Sequence, residues 1–337
     1  MIRPGASKRP TSTDVAREAG LSRSTVSYVL NDDPKQKIPE ATRQRVFDAA
    51  AKLGYTPSAA ARALRSGRSD IVLCLLPDWP LGPALGGLLE HLSAHLESHG
   101  LTLVLHPRVH STRPTSDLWR SISPALVLVF EDISEAEREA IRVSGALFSS
   151  ILLTSGLSRK GDYIYAEERL GRMQLEHLAA TGHRKIGYAY PDDERVHAFA
   201  NPRLEGVRLA AADLDLDAPD VQIVPLDPIG AEVAVKAWNS GEPRVTAVCA
   251  YNDEVAMAVL AAAHRLRLKV PQDLAVIGVD DIPTASLMQP PLTTVARDPD
   301  AYAEAITRSV TRALEGLPEL RSWPHSDSLL LVRRESA

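Results

Sequence analysis

Hydrogen-bonding side chains are concentrated in one short segment, Ser22 to Tyr28. The segment carries one guanidinium, one phenol and four hydroxyl groups around a single apolar residue, Val26. A guanidinium can donate two hydrogen bonds to guanine, whereas hydroxyl and phenol groups bond either bases or phosphate oxygens. The candidate DNA contacts are Arg23, Ser24 and Tyr28 for bases or phosphates, and Ser22, Thr25 and Ser27 for phosphates. The alternative is an exposed polar face that has no partner.

The elements that must position this segment are two short helices joined by a tight turn. A capping box, Thr11 with Asp14, predicts the start of the first helix, and Gly20 predicts its end. The second helix is predicted from Arg23 to about Leu30, after a connection of only three or four residues. This spacing is typical of a helix-turn-helix, whose second helix enters the major groove of DNA. A third helix, from about Glu40 to Leu53, would close a three-helix core.

The charge distribution favours a polyanionic partner for this end of the chain. Residues 1–69 hold 13 Lys or Arg and 6 Asp or Glu, a balance of +7, whereas residues 70–337 hold 25 and 37, a balance of −12. The net charge of −5 conceals this asymmetry. A basic end on an acidic body indicates a nucleic-acid partner. Without the helical motif, a solvated basic face would be the simpler interpretation.

The composition is that of a globular protein, with 337 residues, 45% of them hydrophobic and 24% charged. This length predicts two or three domains. No apolar run is long enough to cross a membrane, and residues 1–13 lack the apolar stretch of a signal peptide. The two cysteines, Cys74 and Cys249, lie in apolar runs, which fits a reducing compartment. We therefore expect a cytoplasmic protein.

Beyond residue 70, short apolar runs alternate with helical patterns, which predicts parallel sheets with helices on both faces. Because residues 70–337 are too many for one sheet, we expect two similar lobes with a ligand cleft at the carboxyl ends of their strands. The predicted strands are Ile71–Leu76, Leu101–His106, Ala125–Phe130, Phe148–Leu153, Lys185–Ala189, Val221–Val224, Ala247–Ala250 and Leu274–Val279. The predicted helices are Ala84–Ser98, Glu135–Val143, Arg169–Ala180, Arg203–Asp213, Gly230–Trp238 and Asp253–Leu266.

Two N-terminal stretches carry a family signature: TSTDVAREAGLSRSTVSYVLN and TRQRVFDAAAKLGYTPSAAARALRSGRS. They closely resemble the lactose-repressor and galactose-repressor family of bacterial transcription regulators, and a weaker resemblance covers nearly the whole chain. The matching positions include Asp14-Val15-Ala16, Leu21-Ser22, Thr25-Val26-Ser27, Asn31, Gly54-Tyr55, Pro57 and Ala61-Arg62. The resemblance implies an all-α helix-turn-helix head and an α/β, periplasmic-binding-protein-like regulatory domain of two doubly wound lobes.

The resemblance also implies a division of the chain into three parts. Residues 1–57 would be the DNA-binding domain, 58–69 a hinge helix with a linker, and 70–337 the effector-binding and dimerisation domain. Within the last part, the first lobe would take about 70–165 and 297–324, and the second about 166–296 and 325–337.

For the DNA interface, the resemblance places Arg23, Ser24 and Tyr28 at base-contacting positions. It makes Ser58–Leu64 a hinge helix that folds only on DNA, where the paired hinges of a dimer enter the minor groove. Ala61 and Leu64 match the positions that face the base steps. An apolar wedge such as Leu64 unstacks a step and bends the duplex, so that more of the protein can contact it. The alternative for Leu64 is ordinary packing in a linker.

For the regulatory domain, the resemblance assigns Arg203, Asn252 and Asp280 to positions that bind effector hydroxyls. The set suits a polyol, since Asp accepts hydrogen bonds, Arg donates them and Asn does both. The alternative is structural: Arg203 and Asp280 would form an ion pair across the cleft, and Asn252 would cap the helix that follows it.

Several positions depart from the family pattern. Ala166-Glu167 stands where the family usually has Asp-Asn, and Thr154-Ser155 where it usually has Asp-Arg. An aromatic-rich stretch after the first strand is replaced by Asp78-Trp79-Pro80-Leu81-Gly82-Pro83. Trp79 would either stack on a sugar face or pack against its lobe. These departures predict an unusual effector or a loss of effector control.

Other functional classes have weaker support. The sequence shows no phosphate-binding glycine motif, no metal-spaced Cys/His cluster and no nucleophile elbow, which argues against an enzyme and gives no indication of a cofactor. The spacing of His91, His95 and His99 can bind a metal, although an exposed polar stripe is the more common outcome. A solute-binding receptor fits the body but not the basic head. An architectural DNA-binding protein without ligand response remains a further alternative.

The resulting expectation is a sequence-specific repressor, not an enzyme, that binds a near-palindromic operator as a homodimer. Ligand closure of the lobes would shift the dimer between states that separate or align the hinge helices. The effector would be a sugar or a sugar derivative, and the alternative is a DNA-binding regulator that has lost small-molecule control. The C-terminal SLLLVRRESA carries no heptad repeat and so predicts no tetramerising coiled coil.

Overall fold

The structure is a computed structural model that describes residues 10–30, 37–55, 69–108, 118, 122–131, 133–150, 162–317 and 329–337. The chain divides into two compact units, residues 1–70 and 71–337, which we call the head and the body. In the described residues, no helix is long and apolar enough to span a membrane.

The head contains helices α1 (Ser12–Ala19), α2 (Arg23–Leu30) and α3 (Glu40–Leu53). The predicted capping box begins α1, with the Thr11 amide donating to Asp14 Oδ2 at 2.9 Å. Gly20 ends α1 at a φ of 62°, a backbone conformation that glycine adopts without strain. The three helices bury a small core that includes Val15, Val26, Val29 and Val46.

The first lobe of the body is a parallel sheet in the order β2-β1-β3-β4. Its strands are β1 (Ile71–Leu76), β2 (Thr102–Pro107), β3 (Leu126–Val129) and β4 (Leu147–Ser150). Its helices are α4 (Pro83–Ser98), α5 (Glu135–Val143) and, from much later in the chain, α10 (Pro299–Leu314). Ile306 and Val310 of α10 share one apolar core with Val72 of β1 and Leu92 of α4. The chain therefore returns to the first lobe after it has built most of the second.

The second lobe is a sheet in the order β10-β9-β8-β7-β5-β6, parallel except for the β9–β10 pair. Its strands are β5 (Ile186–Pro191), β6 (Asp220–Val224), β7 (Ala247–Ala250), β8 (Ala275–Val279), β9 (Thr293–Arg297) and β10 (Leu329–Val332). Its helices are α6 (Asp162–Ala180), α7 (His197–Asp213), α8 (Pro228–Ser240) and α9 (Asp253–Arg265).

Alternate residues of β7 show how this sheet is covered on both faces. Val248 and Ala250 belong to the core beneath α8 and α9. Ala247 and Cys249 belong to the opposite core, which Leu170 of α6 helps to form. A strand buried on both faces is the arrangement that continuous apolar runs predict. The predicted fold class, a helix-turn-helix head with two doubly wound lobes, is confirmed.

Two predicted helices are longer than their patterns indicated. The helix predicted from Arg169 begins at Asp162, and the helix predicted from Arg203 begins at His197. The second of these contains Pro202. Because proline is usually found in the first turn of a helix, the sequence pattern did not indicate that the helix begins before it.

Candidate functional site

The polar segment of the head lies on α2 with its polar residues outward. Val26 and Val29 are buried in the core of the head, whereas Arg23, Ser24 and Tyr28 are exposed. Exposed guanidinium, hydroxyl and phenol groups on the second helix of a helix-turn-helix can reach the edges of bases, so the DNA contacts of these three residues stay predictions.

The first turn of α2 is held by its own side chains. Ser22 Oγ accepts from the Thr25 amide at 3.0 Å and lies 2.8 Å from the Thr25 hydroxyl. From α3, Arg45 Nη2 donates to the Ala19 carbonyl at 2.6 Å, next to the turn that leads into α2. These contacts fix the angle at which α2 leaves the turn, although they also engage two of the hydroxyls predicted to contact phosphates.

The predicted hinge residues Ala61 and Leu64, together with the rest of Ser58–Leu64, lie outside the described residues. Thr154 and Ser155 of the first lobe also lie outside them. Only the sequence therefore supports their predicted roles.

In the body, a cavity of about 680 Å³ is lined by residues of both lobes. We call it the cleft. Trp79, Arg203, Asn252 and Asp280, the residues predicted to bind an effector, all line it. The fold thus brings Trp79 and Asp280, which lie 201 positions apart in the sequence, to the same cavity.

Arg203 is buried, with 3% of its surface exposed, and two of its three nitrogen donor groups form hydrogen bonds. Its Nε donates to Glu167 Oε2 at 2.5 Å, and its Nη1 donates to the Tyr251 carbonyl at 2.7 Å. The guanidinium also lies over the Tyr251 ring, 4.6 Å from the centroid. Burial is the largest single effect on the pKa of Arg203 and lowers it, but the charge of Glu167 together with those of Tyr251 and Asp280 outweighs burial, so the pKa is raised above its ordinary value. The guanidinium stays charged.

Glu167 is the centre of an ionic cluster that the sequence did not predict. Its side chain is fully buried, and its second oxygen accepts from Arg297 Nη2 at 2.5 Å. Asp280 Oδ1 lies farther away, 3.9 Å from Arg203 Nη2 and 4.0 Å from Arg297 Nε. Glu167 lies in the first part of α6 and Arg297 ends β9. Their bond therefore joins two elements close to where the chain passes between the lobes. The departure at position 167 therefore provides a structural counter-ion.

A close helix crossing brings Glu167 to Arg203. A β-carbon on Gly171 of α6 would overlap the carbonyl oxygen of Arg203, and one on Gly206 of α7 would overlap the carbonyl oxygen of Glu168. Only glycine permits two helix backbones to approach so closely. The crossing places a carboxylate and a guanidinium from different helices within hydrogen-bonding distance.

Asn252 and Asp280 both make the structural contacts that the sequence offered as alternatives to effector binding. Asn252 Oδ1 accepts from the Val255 amide at 2.9 Å and caps α9, which leaves the amide nitrogen as its donor group. Asp280 forms the long ion pair with Arg203 described above. Both residues nevertheless line the cavity, so their effector roles stay predictions.

Trp79 lies between the lobes. Its ring meets Phe199 of α7 edge to face, with the centroids 5.0 Å apart, and stacks on Phe130 of its own lobe at 6.3 Å. A second link crosses the cleft nearby, where Arg195 Nη1 lies 3.5 Å from Asp78 Oδ1. The first lobe thus supplies an aromatic wall and a charged contact to the cleft.

Asp253, next to the cleft, is a buried carboxylate that sequence reasoning missed. Its oxygens accept from the Ile282 amide at 2.9 Å and the Thr294 hydroxyl at 2.6 Å. Burial raises the pKa of Asp253 to about 7, and the negative charge of Asp280 adds to this effect. The sequence places Asp253 at the start of α9, directly after the capping residue. It does not show that the neighbouring strands bury the Asp253 side chain.

The histidine repeat connects two helices of the first lobe. His91 Nδ1 and His95 Nε2 lie 3.1 and 2.9 Å from Asp300 Oδ1 of α10. His99 contacts a carbonyl of its own helix. Within the residues that the structure describes, no group of His, Cys, Asp or Glu is arranged to hold a metal ion.

Comparisons with known proteins agree with this architecture. A family model described as bacterial regulatory proteins, lacI family, matches residues 11–58, and one for a periplasmic binding protein-like domain matches residues 175–337. The HTH-type transcriptional regulator GntR of Pseudomonas aeruginosa is 30% identical over 345 residues, which cover 97% of this chain and 96% of the relative. The chain belongs to the LacI family of bacterial regulatory proteins. It is a transcription regulator and not an enzyme.

Other members support the same assignment for this LacI-family regulator. The ribose operon repressor of Escherichia coli is 31% identical over 335 residues, 97% of this chain and 99% of the relative. A crystal structure of the lac repressor dimer bound to operator and an anti-inducer has a TM-score of 0.75 at 21% identity, and the match covers 98% of this chain and 99% of that chain. The structural likeness confirms the fold, and the resemblance predicted from the N-terminal signature is confirmed.

Proposed function

We propose that this LacI-family regulator is a repressor that binds a near-palindromic operator as a homodimer and is controlled by a small molecule in the cleft. The observation that carries the proposal is the pairing of an outward polar face on α2 with a cavity of about 680 Å³ between the lobes. The proposed division is 1–57 for the DNA-binding domain, 58–69 for the hinge and 70–337 for the regulatory domain. The protein would work in the cytoplasm.

On the operator, the exposed residues Arg23, Ser24 and Tyr28 of α2 would contact base edges in the major groove. Ser22, Thr25 and Ser27 would contact phosphates. Ala61 and Leu64 would face the minor groove at the centre of the site, where Leu64 would open a base step. The surplus of basic residues in positions 1–69 would make the affinity strongly dependent on salt.

In the cleft, Asp280 would accept hydrogen bonds from a ligand and Trp79 would pack against one of its faces. Asn252 would offer its amide nitrogen. Arg203 would act chiefly by holding Glu167 and the Tyr251 carbonyl in place through Nε and Nη1. Its Nη2, which lies 3.9 Å from Asp280 Oδ1, would be the group that can donate to a ligand. A ligand with polar groups on one side and an apolar face on the other, such as a sugar or a sugar derivative, would suit this wall. The open cavity favours ligand control over its loss.

Gating would follow from differential affinity of the ligand for two arrangements of the lobes. Contacts such as Trp79–Phe199 and Asp78–Arg195 already join the lobes. A ligand that strengthens or replaces these contacts would change how the first lobes of the two subunits meet. That change would in turn alter the arrangement of the paired hinges. Whether the ligand releases or recruits DNA depends on which arrangement aligns the hinges.

The experiment measures binding of the purified protein to fragments from the region upstream of its own gene, at fixed salt, with and without a panel of sugars. Tight binding that resists competitor DNA and is altered by one sugar would support a ligand-controlled regulator. Tight binding that no small molecule alters would favour a regulator without ligand control. Equal binding to all fragments would refute operator recognition.

A further inference from the structure

The wall of the cleft carries more carboxylates than guanidinium groups. The described acidic residues of the lining are Asp192, Asp193, Glu254, Asp280 and Asp281, and the described basic residues are Arg195, Arg203 and Arg297. Lys and His are absent from the part of the lining that the structure describes. A bound anion would meet this surplus of negative charge in a site partly screened from water, whereas a bound cation would reduce it.

The arginines of the lining already face carboxylates. Arg203 and Arg297 bond the two oxygens of Glu167, and Arg195 Nη2 lies 2.6 Å from Asp193 Oδ2. These contacts commit part of each guanidinium group to protein carboxylates, which reduces the donors offered to the hydroxyl oxygens or carboxylates of a ligand. An ammonium group has three donors and no acceptor, so it matches a wall that is rich in acceptors better than a neutral polyol does.

Glu254 is the carboxylate most suited to face such a group. Among the described residues it forms no ion pair, and its side-chain hydrogen bond is a long one, 3.4 Å from Asn252 Nδ2. It is partly buried, and burial, followed by the charge of Asp280, raises its pKa. Removing a carboxylate from water without a cationic partner is unfavourable. A ligand cation would supply that partner.

Glu254 also reaches from one lobe to the other. It belongs to the first turn of α9, and a β-carbon on Gly82 would lie 3.2 Å from Glu254 Oε2. Gly82 is the N-cap of α4 in the first lobe and has no side chain to cap the helix. A cation held by Glu254 would thus lie where the two lobes meet, so that its binding would be sensitive to their arrangement.

An aromatic wall completes the environment. Trp79 and Phe199 meet in the cleft, and Tyr251 and Tyr302 are also among the residues that line it. The face of an indole attracts a cation within about 6 Å of its centre. Carboxylates and aromatic faces around one cavity are the combination that binds organic ammonium groups.

We propose that the effector of this chain carries a positively charged amino group and that Glu254 is its counter-ion in the cleft. The inference rests on the proposed function in one respect, that the cleft is the effector site. Glu254 would be the residue that selects an amine over a neutral or acidic compound of the same shape.

The test compares compounds that differ only in the charged group. Thermal unfolding of the full-length protein is followed with glucosamine, glucose and gluconate, and with tyramine, tyrosol and 4-hydroxyphenylacetate. The amine of at least one set should raise the unfolding temperature more than its neutral and acidic counterparts. Glu254→Gln should weaken amine binding about tenfold or more, because it removes a charge-assisted hydrogen bond. Glu90→Gln, the same change at an exposed position of α4 outside the cleft, should have no effect.

The proposal would be overturned if the neutral or acidic compound stabilised the protein as well as the amine did, or if neither amine had any effect. It would also be overturned if Glu254→Gln kept the full preference for the amine. Binding to upstream DNA is measured in parallel without ligand. Loss of specific DNA binding would refute the proposed function and leave the amine result standing, whereas specific DNA binding with a neutral ligand would refute the inference alone.

Discussion

At the scale of single residues, the structure assigns Glu167 a role that the sequence did not indicate. The family resemblance predicted that Arg203, Asn252 and Asp280 line the cleft, and Trp79, which belongs to a stretch that departs from the family pattern, lines it as well. Glu167 departs from the family pattern, and together with the other departures it predicts an unusual effector or a loss of effector control. Its partner could not be identified, because the pairing depends on a helix crossing and not on a spacing along the chain.

The ion pairs of Glu167 lead to a prediction about stability. Glu167→Gln should lower the free energy of unfolding by about 3–5 kcal/mol, because it leaves two guanidinium groups in a buried site without their counter-ion. Urea unfolding measures the change. Glu139→Gln removes an exposed carboxylate paired with Arg142 and serves as the control, with no measurable change expected. Equal behaviour of the two variants would contradict the role of Glu167.

Arg23 provides a prediction about specificity. Arg23→Ala should weaken binding to the operator by about 1–3 kcal/mol while changing the affinity for random DNA much less, because a base contact is lost. Fluorescence anisotropy at fixed salt measures both affinities. Arg17→Ala, an exposed arginine of α1 that pairs with Asp14, is the matched control. If operator and random DNA lose affinity equally, Arg23 contacts only phosphate.

Asp253 provides a prediction about pH. Its pKa is raised from 3.8 to about 7 in the folded protein, so the folded state holds a proton that the unfolded state releases at lower pH. The resulting stabilisation is fully present below the unfolded pKa and is lost as the pH rises through the folded pKa of about 7. Asp253→Asn should remove this decline. Unfolding free energies measured across this range should fall for the wild type and change less for the variant; parallel curves would contradict the assignment.

At the scale of elements, the alternation of strands and helices predicted the two lobes, but β9, β10 and α10 were not predicted. The strand β9 is short, follows two prolines, and pairs antiparallel with a strand more than thirty residues later. The apolar stripe of α10 is diluted by Thr307 and Ser309, which are buried. Their pairing and packing are set by tertiary contacts, which a local pattern does not contain.

The crossing of α6 and α7 gives a prediction at this scale. Gly206→Ala should destabilise the protein by about 1–3 kcal/mol or more, because the added carbon overlaps the Glu168 backbone and separates the helices. Gly86→Ala is the control, since a β-carbon on Gly86, inside α4, would meet no atom within 4 Å. That change should leave stability unchanged or raise it slightly, because alanine favours helix. A destabilisation no larger than that of the control would contradict the close crossing.

At the scale of the whole molecule, the chain combines a basic head with an acidic body of two lobes. The chain returns to the first lobe in α10, and the buried bond between Glu167 and Arg297 joins α6 and β9 of the second lobe close to where the chain passes between the lobes. The aromatic contact of Trp79 with Phe199 adds a link across the cleft. This arrangement gives a ligand in the cleft direct access to the groups that hold the lobes together, which is what control of DNA binding requires.

The most direct test of operator recognition compares the full-length protein on a fragment from its own upstream region with a fragment of the same length and composition but scrambled sequence. Both titrations use the same salt concentration, because phosphate contacts make affinity depend on salt. We expect the native fragment to bind at least about 1,000-fold more tightly. Equal affinity for the two fragments would contradict recognition of sequence by α2.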